Sequence, residues 1–98
     1  MGDFRYHNAA VGKLFESQAM RGYSVMLFPG GQTDPYKENY DRLFIAVTDL
    51  NLRDTEVGGS QSNLEMKAGE IRLLPRGLTH AVTNLGESTV TFITLEFN

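Results

Sequence analysis

The stretch GEIRLLPRGLTHAVTN, residues 69–84, sets a glycine, a Pro-x-Gly and a histidine between two short apolar runs. Pro75 presets φ at the second position of a turn and Gly77 can close it, so Leu74 to Gly77 reads as a type I turn. The strands on either side are then expected to be antiparallel neighbours. Residues two apart on a strand share a face, so His80, Val82 and Asn84 point one way and Ala81 and Thr83 the other.

Working outward, the same two-residue alternation recurs between turn residues. Strands are expected at Tyr23–Phe28, ending at Pro29-Gly30-Gly31, and at Arg42–Leu50, Asn63–Lys67, Glu70–Leu74, Thr79–Thr83 and Ser88–Phe97. In the second of these, Arg42, Phe44, Ala46 and Thr48 share one face and Leu43, Ile45 and Val47 the other. Both faces are apolar, so this strand is expected to be covered on both sides. Upstream, Asn8 could cap a helix carrying Val11, Leu14, Phe15 and Ala19, but Gly12 interrupts it, and a strand around Lys13–Ser17 is preferred. The rhythm is all-β.

Ninety-eight residues make one domain, 1–98, with an N-terminal strand segment 1–22 and a core barrel 23–97. Hydrophobic residues make up 41% and charged residues 21%. The apolar runs are too short to cross a bilayer, so no membrane association is expected. The opening MGDFRYHN has no apolar targeting core and no Ser or Thr at position six, which points to the cytoplasm. With no cysteine, any metal must use His, carboxylate or Tyr. Nine basic residues are scattered among twelve acidic ones for a net charge of -3, which disfavours nucleic-acid binding.

The fixed positions Gly69, Pro75, Gly77, His80 and Asn84 match the second cupin motif throughout, and from Tyr23 to Phe97 the chain resembles a small cupin. The resemblance implies an all-β antiparallel jelly-roll barrel of six to eight strands, commonly dimeric, with its site inside the barrel. Together with the two apolar faces of 42–50, it leads to the expectation of a homodimer.

Metal-binding cupins also carry a first motif that supplies two histidines and a glutamate. Started at Gly30, that motif falls on Tyr36 and Glu38 at the histidines, Arg42 at the glutamate and Asp49 at the final glycine. Started at Gly31, it falls on Lys37 and Asn39, then Leu43 or Phe44. Neither register carries the family's ligands, and Arg42 places a permanent cation where a carboxylate belongs. No cofactor is therefore expected. The alternative is a divalent transition metal (Fe, Ni, Mn or Zn) on a rebuilt set that includes His80 and Glu38.

The expected ligand-binding set is Tyr36, Glu38, Arg42, Phe44, His80 and Val82, facing a small-molecule partner. Arg42 can pair with Glu38, or it can select a carboxylate or phosphate through forked hydrogen bonds. Tyr36 and Tyr40 read as cavity walls or as loop aromatics over the barrel mouth. His80 has three readings: a partly buried histidine hydrogen-bonded to a neighbour, a ligand contact, or a metal ligand. His7 reads as a surface residue without a role. Three functions stay open: a metal-independent barrel binding a small anionic organic ligand, a metal-dependent cupin enzyme (dioxygenase, isomerase or decarboxylase type) with an atypical ligand set, and a structural or oligomerising barrel with no ligand.

Overall fold

The computed structural model describes residues 6–37, 39–56, 58–77 and 79–97, the side chain of Tyr36 excepted. Among these residues the chain forms nine strands and no helix: β1(Tyr6–Glu16), β2(Met20–Thr33), β3(Tyr36–Lys37), β4(Asp41–Ala46), β5(Leu50–Glu56), β6(Gln61–Met66), β7(Ile71–Leu74), β8(Thr79–Asn84) and β9(Val90–Phe97). With no helix present, none is long and apolar enough to cross a membrane. All pairings are antiparallel.

The helical alternative for the N-terminal segment is ruled out because β1 lies in register along β2. Ala9 faces Leu27 and Val11 faces Val25, and both pack on the core with a two-residue period. Pairing along a ready-made partner outweighs the local helical spacing. β1 is also longer than the expected strand and begins at Tyr6.

Two expectations are corrected. The stretch Arg42–Leu50 is two strands, because β4 stops at Ala46 and β5 starts at Leu50. The backbone amides of Val47 and Thr48 both turn to the carbonyl of Thr91. Thr48 therefore leaves the face of Arg42, and its hydroxyl accepts a hydrogen bond from the Thr91 amide. The second correction concerns the opening stretch, whose flanking strands are not neighbours. β7 pairs with β4, whereas β8 pairs with β2, β3 and β5. The Pro-Arg-Gly segment reverses the chain at a corner between sheets, and the Arg76 amide anchors it by donating to Asp41 Oδ1 at 3.0 Å.

One continuous nine-stranded sheet results, folded into two facing layers, β1-β2-β9-β4-β7 and β3-β8-β5-β6, joined where Gln32 of β2 meets Thr83 of β8. β2 belongs to both layers, and it runs through Pro29-Gly30-Gly31 instead of ending there. Strands that switch sheets need a bend. Here Gly30 has φ of 80°, Asn8 has φ of 54°, and the Asn8 side-chain amide donates to the Pro29 carbonyl. Gly31 is required by crowding, since a Cβ there would lie 2.5 Å from the Asn8 carbonyl oxygen.

The core fills the space between the sheets. Val25, Leu27, Phe44, Ala46, Val90 and Phe92 of one sheet meet Leu50, Leu52, Leu64, Met66 and Val82 of the other, all nearly inaccessible. Each such large side chain contributes about 1.5–3 kcal/mol. Asn84 is buried among them and acts as a structural clip. Its amide donates to the carbonyls of Leu27, Phe28 and Ser88, and its oxygen accepts from the Gly86 amide. This motif asparagine thereby holds the β8–β9 loop against the corner of β2.

Candidate functional site at the barrel mouth

β2, β9 and β4 lie side by side, and their register sets Arg21 opposite Glu96 and Glu96 opposite Arg42. All three are on the inner face because they alternate in step with the core residues of the same strands. Arg42 Nη2 donates to Glu96 Oε2 at 2.6 Å, with the two side chains only 6% and 12% exposed. Arg21 Nε reaches Glu96 Oε1 at 3.5 Å, and its guanidinium lies 4.5 Å from the centre of the Tyr40 ring. Tyr40 is thus a loop aromatic that covers a cation, at a geometry suited to cation–π attraction.

On the facing sheet, His80 opens β8, and its Nδ1 lies 3.1 Å from Asp54 Oδ1 of β5. Both side chains are largely buried, at 11% and 20% exposed. The two residues meet diagonally, because Asp54 pairs with Val82 and His80 pairs with Glu56. The hydrogen bond at Nδ1 fixes the ring orientation.

Between the two groups lies a cavity of about 20 Å³, bounded by Tyr6, Thr33, Arg42, Phe44, His80 and Val82, with Phe92 behind. That is room for one water molecule and too little for an organic ligand without movement of its walls. Of the expected site residues, Arg42, Phe44, His80 and Val82 therefore converge. Tyr36 is placed by its backbone opposite His80 on β3. Glu38 and the expected Arg42–Glu38 pair lie outside the described residues. His7 is a half-exposed surface residue hydrogen-bonded to Asp34.

Three polar residues of the mouth escape a reading of the sequence: Asp54, Glu96 and Arg21. Glu96 was legible in part, since it shares a face with Thr94 and Phe92 on an alternating strand. At the rim, the backbone amide of Arg76 and then its guanidinium hold the Asp41 carboxyl below the usual range.

A larger, open groove of about 590 Å³ lies at the opposite end of the strands, floored by Leu50, Met66 and Val90. Two of its carboxylates hold turns. Asp49 accepts from the Ala68 amide and Glu70 from the Lys67 amide. No residue of the expected site lies there.

The cupin resemblance raises the question of a metal. Among the described residues no three His, Asp or Glu side chains are placed to hold one. The donors at the cavity also fit a cation poorly, because the Arg42 guanidinium shares the cavity with His80.

An all-antiparallel barrel of two sheets, cornered by one shared strand and clipped by the motif asparagine, is a cupin fold, and the chain is a small cupin-like barrel. It is similar in structure to a cupin domain from Bordetella pertussis, with a TM-score of 0.86 and 19% identity over 93% of this chain and 94% of that one. It also resembles the polyketide cyclase RemF from Streptomyces resistomycificus, with a TM-score of 0.78 and 15% identity over 95% and 67% of the two chains. An oxalate oxidase solved with the substrate analogue glycolate gives a TM-score of 0.72 and 19% identity; the present chain covers 51% of it. No family model and no curated protein matches the sequence.

Proposed function

We propose that the protein is a metal-independent, cytoplasmic small-molecule-binding barrel whose ligand is a small organic anion taken at the mouth between Arg42 and His80. The observation that carries this reading is the row Arg21, Glu96, Arg42, in which two guanidiniums share one carboxylate inside the barrel. Arg21 Nη2 is buried with no hydrogen-bond partner among the described residues, so the row presents a guanidinium donor to the mouth. Low-dielectric walls strengthen the attraction of such a site for an anion. The cavity of about 20 Å³ has room for one water-sized group, so even a small carboxylate enters only with movement of the cavity walls. An oxalate oxidase of similar fold holds glycolate, a small organic anion.

The test is calorimetric titration with formate, acetate, glycolate and phosphate against methylamine as the cationic control. Saturable binding of a carboxylate is expected, with no methylamine binding. Arg42→Lys keeps the charge and loses the planar fork, so it should weaken binding at least about tenfold. Binding unchanged in Arg42→Lys would sink this assignment.

The contact between His80 and Asp54 favours a second reading, proton transfer at the carbon beside the carbonyl of a bound 2-oxo acid. Asp54 would orient the imidazole and stabilise its protonated form while Nε2 takes the proton. Incubation with short 2-oxo acids in deuterium oxide, followed by proton NMR, should then show deuterium entering the carbon beside the carbonyl. His80→Gln should abolish that exchange and Asp54→Asn should slow it on the order of a hundredfold or more. Exchange at the rate of buffer alone would leave binding as the function.

A further inference from the structure

The cavity beside His80 holds about one water molecule, so any larger group that reaches the imidazole must first displace a wall. Most walls are held by a partner of their own. Phe44 and Phe92 stack on each other, Arg42 donates to Glu96, and His80 lies against Asp54. The Thr33 hydroxyl accepts the Val82 amide, and Ala81 pairs with Thr55 of β5. Leu74 pairs with Arg42, next to the corner that the Arg76 amide anchors to Asp41.

Of the described walls Tyr6 is held least. It belongs to β1, an edge strand that pairs only with β2 among the described residues. Its segment is also set apart from the rest of that pairing. Tyr6 and His7 face Thr33 and Gln32, but the next pair, Ala9 with Leu27, lies beyond the corner at Pro29-Gly30-Gly31. Asn8 spans the gap with φ of 54°, a left-handed conformation in which one residue redirects the chain. On the far side of Asn8, His7 Nε2 meets Asp34 Oδ1 at 2.8 Å, with both side chains half exposed. Water screens a contact of that exposure, so it is a weak latch.

We infer that residues 6–8 form a hinged strap that gates the cavity. The strap pivots at Asn8, Tyr6 withdraws, and the space in front of Arg42 and His80 opens to a ligand over which Tyr6 then closes. The meaning of the gate for function rests on the binding site proposed above. It adds which wall moves, and it makes Tyr6 the residue that sets the size of group admitted.

The chain has two histidines and no cysteine, which makes both a lock and a readout specific. His7 and Gln32 are Cα partners across the strand pair, a spacing of roughly 4.5–5.5 Å that a disulfide can span. Oxidised His7→Cys/Gln32→Cys pins the strap shut, and His7→Ser/Gln32→Ser leaves it free; in both, His80 is the only histidine left. The probe is diethyl pyrocarbonate, which is larger than the cavity and modifies the imidazole, read by peptide mass spectrometry. Modification follows the open fraction, so the disulfide variant should react at least about tenfold more slowly at His80 than the serine variant. Tyr6→Ala, which removes the plug, should react at least about tenfold faster than the wild type with an unchanged circular dichroism spectrum. Equal rates in the locked and free variants would overturn the gate, and so would a Tyr6→Ala rate equal to that of the wild type. The probe reports access and needs no ligand. Protection of His80 by the lock, in a protein whose wild type binds no carboxylate, would therefore refute the binding assignment and support the gate.

Discussion

Glu96→Ala is expected to destabilise the protein by about 3–5 kcal/mol, because it strands a buried positive charge. In the native barrel Arg42 is 5% exposed, and Glu96 is its charged partner among the described residues, 54 positions away in the chain. Removing the carboxylate takes away the charge that the guanidiniums on either side of position 96 share. A domain of this size has roughly 5–15 kcal/mol of stability in all, so the loss approaches unfolding at physiological temperature. Urea titration followed by circular dichroism reads the effect directly. The informative companion is the double variant Arg42→Met with Glu96→Leu, which replaces the pair by apolar groups of similar length. Such exchanges are often neutral or stabilising, so the double variant should recover most of what Glu96→Ala loses. A loss below about 1 kcal/mol in Glu96→Ala would instead mean that water screens the row as it screens a surface pair.

Phe92→Ala should cost a similar amount, about 3–5 kcal/mol, for a different reason. Phe92 is 1% exposed, and its ring stacks on Phe44 with centroids 4.2 Å apart and planes inclined at 21°. β9 is hydrogen-bonded on both sides, to β2 and β4, so its backbone cannot move in to refill the void. The cost is lost transfer energy plus an unrelaxed cavity, and the urea midpoint should fall at an unchanged slope. Phe92 also backs the small space beside His80. The variant should join that space to the new void, and a small aromatic such as benzene should raise its melting temperature while leaving the wild type unaffected.

Local alternation was enough to show that Phe44, Arg42 and Val82 face inward, because a two-residue period on a half-buried strand has only two outcomes. The same reasoning ran β4 into β5, because Arg42–Leu50 has no break in its hydrophobic pattern. The chain turns there to reach hydrogen-bond partners on Thr91, which lies far along the sequence. The turn at Pro75 was legible as a turn but not as a change of sheet, since φ preferences describe the reversal and are silent on which strand waits beyond it. Site chemistry follows the same division. His80 and Arg42 stand out in the sequence, but their described partners Asp54 and Glu96 lie 26 and 54 residues away and meet them through strand register alone. Asp54 sits in the polar half of β5, where nothing local distinguishes it from a surface aspartate.

The position of β9 has a consequence for synthesis. β2 and β4 never pair with each other; β9 lies between them and is made after both. On the ribosome, where residues emerge at roughly 5–20 per second, the first sheet must wait for its central strand. During that interval Val25 and Leu27 of β2 and Phe44 of β4 lack the Phe92 side of their core. The sheet therefore cannot close before β9 has been made, and this long-range pairing slows folding.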